Sequence, residues 1–136
     1  MIETAEEFVM LRDSSNEELY SRSALETASE EVWLEVIDKY PDFREWVAYN
    51  KTVPNSILAL LAEDEDRRVR SMVAMRRKAG PAILEKLSHD PEESVRMSVA
   101  GNAKVPLAIL EYLLDDVSWV VRDLAKGRID KMSQKS

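Results

Sequence analysis

The sequence predicts an all-α protein in which two-helix repeats stack as a solenoid, and three observations lead there. First, the chain of 136 residues is 45% hydrophobic yet holds only 3 Gly and 5 Pro, so it can bury a core but lacks the turns of a β-sandwich. Second, one motif recurs every 26 residues through most of the chain. Third, the apolar residues of each copy fall at helical spacing on stripes that no single helix could bury, so neighbours must stack to close a core.

From the amino terminus, Thr4 with Glu7 and Ser15 with Glu18 have capping-box spacing. Each pair opens an amphipathic helix, the first carrying Phe8, Val9 and Leu11 and the second Leu19, Tyr20 and Leu25. Within one domain spanning 1–136, residues 1–28 are read as a helical cap on the open end of the array, 29–130 as repeats, and 131–136 as a flexible polar tail.

The clear repeats come next. Ile57-Leu58 recurs as Ile83-Leu84 and Ile109-Leu110, Leu61 as Leu87 and Leu113, Asp64 as Asp90 and Asp116, and Val69-Arg70 as Val95-Arg96 and Val121-Arg122. Each step is 26 residues, and Pro54, Pro81 and Pro106 precede the blocks. An earlier copy is visible upstream: Trp46-Val47-Ala48 with Asn50 reads against Ser98-Val99-Ala100 with Asn102. Its first half matches at 24 residues, Leu34 and Ile37 against Leu58 and Leu61, which implies a shortened connection and about four repeats in all.

Within a block, Ile57, Leu58 and Leu61 form one stripe and Val69, Met72 and Val73 another, hence two short helices per repeat. Asp90-Pro91-Glu92-Glu93 supplies an N-cap Asp, a first-turn Pro and a capping Glu. Gly101-Asn102 and Gly127 are expected to stop their helices in the left-handed conformation.

The phased Pro, Ile-Leu, Asp, Val-Arg and Val-Ala-x-Asn resemble the leucine-rich repeat variant, a short relative of the HEAT-like α-solenoids, over about residues 29 to 129. The resemblance implies a right-handed superhelix, a short helix of each repeat that can be 3₁₀, and a role in protein binding. An iron-sulfur cluster occurs in one member of that family on cysteines; this chain has no Cys, so the property does not carry over and no cofactor is expected.

Charge divides the chain unevenly. Residues 1–46 hold 13 acidic and 4 basic residues, net −9, whereas residues 47–136 hold 13 acidic and 15 basic, net +2. The acidic third is either a solvated helix surface or an attraction for a cationic partner. Without Cys, a basic leader or a run of about 18 apolar residues, the expected setting is cytoplasmic, with neither export nor membrane insertion.

Regularly spaced Arg44, Arg70, Arg96 and Arg122 could track a phosphate backbone. Asp64, Asp90 and Asp116 precede their arginines by six residues, however, and the resemblance implies a structural ladder of such pairs linking neighbouring repeats. A second cluster, Arg67-Arg68 with Arg76-Arg77-Lys78, lacks interleaved aromatics and adjoins Asp64-Glu65-Asp66, so nucleic-acid binding is disfavoured. The single His89 precedes a helix and reads as a cap on the one before it. With no second His, no Gly-rich phosphate loop and no nucleophile elbow, neither metal binding nor catalysis is expected.

The informative positions are those that break the repeat. With Val69 toward the core and 100° per residue, positions 67 and 71 of the second helix face solvent. Arg67 and Ser71 correspond to Glu93 and Met97, then to Trp119 and Asp123. An exposed Met97 and Trp119 are interface anchors in type, although Trp119 could equally fold over the last repeat; Trp33 is read as a contact with the cap and Trp46 as core.

These readings make the protein a non-catalytic interaction module, monomeric or weakly self-associating, that binds another protein through Arg67, Ser71, Glu93, Met97, Trp119 and Asp123. Small acidic solenoids also resemble predicted immunity proteins that neutralise basic toxins, so the expected partner is basic. The alternative is a nucleic-acid-binding HEAT-like solenoid, which salt would distinguish.

Overall fold

Four helices begin where a side chain, that of Thr4, Asn16, Ser29 or Asp66, accepts one of their first free N–H groups. The computed structural model describes residues 1–134, which contain ten α-helices, one 3₁₀ turn and no strand. They form two compact units, Met1–Leu61 and Ala62–Ser136.

The first unit contains α1 (Ala5–Asp13), α2 (Glu17–Leu25), α3 (Glu30–Lys39), a 3₁₀ turn (Pro41–Phe43), α4 (Arg44–Tyr49) and α5 (Asn55–Leu61). Thr4 Oγ1 accepts from Glu7 N at 3.0 Å, and Glu7 reaches back to the Glu3 N–H at 2.8 Å, closing the first capping arrangement. The second start lies one residue later than Ser15. Asn16 is the cap, and its amide oxygen takes the N–H groups of both Glu18 and Leu19.

Helix α1 packs against α2 and α3, burying Phe8 and Leu11, and the Trp33 ring stands edge-on to Phe8 at 5.2 Å between centroids. The Trp33 contact with the cap region therefore forms as read. Trp46 differs from expectation, being only half-buried. Val47 and Ala48 take the core side of α4, while the Trp46 ring carries the Arg12 guanidinium 3.6 Å from its centroid. Ile2 makes an isolated parallel bridge with Ala28, donating its N–H to the Thr27 carbonyl at 2.7 Å.

The second unit contains α6 (Arg67–Met75), α7 (Gly80–Ser88), α8 (Glu93–Gly101), α9 (Leu107–Leu113) and α10 (Trp119–Gln134). Helix α8 packs against both α6 and α10, while α7 and α9 pack on each other and on α8. Val69 and Val73 of α6, Val95 and Val99 of α8, and Val121 and Ala125 of α10 are buried against Leu84, Leu87, Leu110 and Leu113. The repeated apolar positions are therefore the core positions.

Four local expectations are corrected. In the three clear repeats both helices are α-helical, and among the described residues 3₁₀ geometry is confined to Pro41–Phe43. Gly101 is the last residue of α8 and Gly127 lies inside α10; neither has positive φ, and Asn102 is extended. Among the described residues the one with positive φ is Gly80, at 85° at the start of α7. Asp90 is not the cap of α8, which starts at Glu93 after Glu92. Lastly, α10 continues to Gln134, so residues 131–134 are helical, and the remaining two of the expected tail lie outside the described residues.

Candidate functional site

The repeated Asp and Arg meet between successive repeats. Arg70 donates from Nε and Nη2 to the two carboxylate oxygens of Asp90 at 2.7 and 3.2 Å, and Arg96 does the same to Asp116 at 2.7 and 3.1 Å. The remaining Nη1 turns back to a carbonyl of its own repeat, Asp64 at 2.8 Å for Arg70 and Asp90 at 2.9 Å for Arg96. Each Asp also folds its own loop by accepting the N–H two residues on, in Asp66, Glu92 and Ser118.

This double duty explains why Asp90 is spaced six residues before Arg96 and is not a helix cap. Hydrogen bonding to the carboxylates raises the pKa of both Arg70 and Arg96. Burial opposes ionisation of Asp116, but the hydrogen bonds from Arg96 and the Ser118 N–H outweigh it and hold the carboxyl below its ordinary value. Arg70, Arg96, Asp90 and Asp116 are thus engaged with protein groups. In the earliest copy, Arg44 Nε donates to the Ile37 carbonyl at 2.8 Å.

A second ladder uses the repeated Asn. Asn102 Nδ2 donates to the carbonyls of Ala74 and Arg76 at 2.7 and 2.9 Å, and its oxygen accepts from Lys104 N at 2.7 Å. In the first unit, Asn50 does the same with Ser23, Glu26 and Thr52. Both side chains are buried, and their amides supply donors to helix-end carbonyls that lie wholly or partly inside the protein.

The partner-binding candidates fall into groups. Arg67 is exposed and lies 3.4 Å from Glu92, the neighbour of the expected Glu93, which is itself exposed. Ser71 is half-buried on α6. Met97 lines a groove of about 420 Å³ with Met75, Leu124, Ser94, Ser98 and Gly101, which come from α6, α8 and α10. Trp119 and Asp123 line a different one, with Leu114, Arg122 and Lys126. Trp119 is 69% exposed, so its indole stands outside the core.

The sequence reading missed Met75 and Leu124. Leu124 is 37% and Met75 56% exposed. A signal was present: Met75, Gly101 and Gly127 occupy one repeat position. A Cβ added to Gly101 would meet nothing within 4 Å, so the missing side chain opens the space beside Met97.

The other charged clusters are mostly internally matched. Arg68 pairs with Asp66 at 3.1 Å, and burial together with Arg76 lowers the pKa of Lys78. His89 sits at the C-cap of α7 as read, with Nε2 3.1 Å from Glu85 and Nδ1 2.9 Å from the Tyr112 hydroxyl. Among the described residues no group of three His, Cys, Asp or Glu side chains could hold a metal ion, and no helix is long and apolar enough to cross a membrane. In the first unit, Glu26 takes Arg22 and the terminal amine, Lys39 pairs with Glu35, and Tyr40 donates to Glu6, lowering its pKa. Asp13, Glu17, Glu18, Glu31 and Asp38 remain exposed to solvent.

No family model, curated protein or solved structure matches this chain.

Proposed function

We propose that the protein acts without catalysis, by binding another protein, and that its repeats stack as a right-handed solenoid of the leucine-rich repeat variant type. The observation that carries this reading is the groove of Met75, Met97 and Leu124 on the second-helix face. Flexible thioethers over an open glycine position give an adaptable apolar surface, of the type used at protein interfaces. The excess of exposed carboxylates in the first unit favours a basic partner, in the manner of a stoichiometric inhibitor of a basic toxin. Such a module works in the cytoplasm, where a chain without disulfides keeps its fold.

The test is capture from nuclease-treated host lysate with tagged wild type and Met97→Asp, at about 50 and 200 mM salt. The expected result is one stoichiometric basic protein, retained by wild type at both salts and lost by the variant. If Met97→Asp retains the same protein undiminished, the groove is not the binding surface. If only nucleic acid is recovered, from untreated lysate and at low salt alone, the protein-binding reading fails.

A further inference from the structure

Arg122 repeats the conformation of Arg70 and Arg96 without their carboxylate. Its Nη1 donates to the Asp116 carbonyl at 2.6 Å, as Nη1 of Arg96 does to Asp90 and Nη1 of Arg70 to Asp64. That bond fixes the plane of the guanidinium. In the two earlier copies, the edge formed by Nε and Nη2 then holds an Asp side chain from 20 residues downstream. In Arg122 that edge has no hydrogen-bond acceptor among the described residues.

An apolar surface adjoins that open edge. A groove of about 390 Å³ beside Arg122 is lined by Leu114, Trp119, Asp123 and Lys126. Val117 is 92% exposed and Trp119 69%; the equivalent positions of the earlier copies, Glu65, Pro91, Arg67 and Glu93, are exposed too but polar or proline, so only here is the exposed surface beside the arginine apolar.

We propose that this end of the second unit is a docking site for a partner segment that presents an Asp or Glu carboxylate beside an apolar side chain. The carboxylate is gripped by Nε and Nη2 of Arg122, and the apolar side chain packs on Trp119 and Leu114. Charge complementarity selects the acid, and planar two-point hydrogen bonding selects a carboxylate over other acceptors. The site is independent of the Met97 groove and of the basic partner proposed for it.

The probe is a synthetic peptide copying residues 81–102 of this chain, whose Asp90 is the natural occupant of the equivalent Arg70 position. It is titrated to millimolar concentration into the full chain, and the Arg122 Nε–H resonance is followed by NMR. Saturable binding is expected to shift that resonance. Affinity is expected to fall roughly tenfold or more when the peptide's Asp is changed to Asn or when the protein carries Arg122→Gln. Arg122→Lys, which keeps the charge but not the two-point geometry, should not restore it.

Arg122→Gln loses the exposed bond to the Asp116 carbonyl but breaks no carboxylate pair, so it is expected to lower the melting temperature much less than Arg96→Gln does. Absence of binding, or equal binding by the Asn peptide or by Arg122→Gln, overturns the proposal. So does self-association of the chain that Arg122→Gln abolishes, because the occupant would then be a second copy.

Discussion

Arg96 and Asp116 lie 20 residues apart and are joined at two points, Nε to Oδ2 at 2.7 Å and Nη2 to Oδ1 at 3.1 Å. Their side chains are only 11% and 6% exposed, so each charge depends on the other for solvation. Arg96→Met alone or Asp116→Ala alone is expected to cost roughly 3–5 kcal/mol, because each leaves a charge uncompensated. Arg96→Met combined with Asp116→Leu should cost less than either single change. Urea unfolding of the three variants tests this, and additive losses would contradict a coupled buried pair.

The buried Asn102 amide stabilises by donating to two carbonyls at the end of the preceding second helix, Ala74 in the core and Arg76 at its edge. Removing its side chain in Asn102→Ala leaves the Ala74 and Arg76 carbonyls without their donors. The expected loss is about 2–4 kcal/mol, from two unsatisfied acceptors. Asn102→Asp should not recover it, since a carboxylate would face those carbonyls with oxygens only. Chemical denaturation of the two variants decides the matter.

The glycines should respond in opposite directions. Gly127 lies inside α10 with open space where a Cβ would go, so Gly127→Ala is expected to add about 0.5–1 kcal/mol through helix propensity alone. Gly80 has φ 85°, and Gly80→Ala is expected to cost roughly 1–2 kcal/mol. Thermal melts of the pair check both signs.

Acid should weaken the second unit through Asp116. Its carboxyl titrates lower in the folded chain than in the unfolded chain, so the unfolded state takes up the proton first as pH falls. The stabilisation is complete above the ordinary carboxylate range, near pH 4, and disappears as pH drops through the folded value. Stability measured from pH 6 to pH 3 should fall more steeply for wild type than for Asp116→Asn, which has lost the titrating group.

Much of the helical layout can be read from the residues. The buried positions of α6, α8 and α10 are the repeated Val69, Val73, Val95, Val99 and Val121, because periodic apolar residues in a chain with few breakers can be buried only as helix stripes. Caps are harder to place. Ser15 and Asn16 are adjacent acceptors, and the loop geometry selects the Asn16 amide oxygen, which accepts from both Glu18 N and Leu19 N. Asp90-Pro91-Glu92-Glu93 likewise has the composition of a helix start, but Arg70 claims the Asp from another repeat.

The candidate surfaces divide along the same line. Met97 and Trp119 stand out in the sequence because they break a polar repeat position, and that comparison needs no coordinates. Which apolar residues join Met97 depends on how three helices lie side by side. Met75 and Leu124 come from α6 and α10, 49 residues apart, and meet at a groove because Gly101 leaves its space unfilled.

Local chemistry, meaning helix periodicity, charge and the recurrence of Asp, Arg and Asn, is written in the chain and needs only neighbouring residues to be interpreted. The pairing of Arg96 forward to Asp116, the burial of Asn102 on the preceding helix end, and the open guanidinium edge of Arg122 arise from packing between repeats. They depend on distances in space that residue spacing alone does not fix.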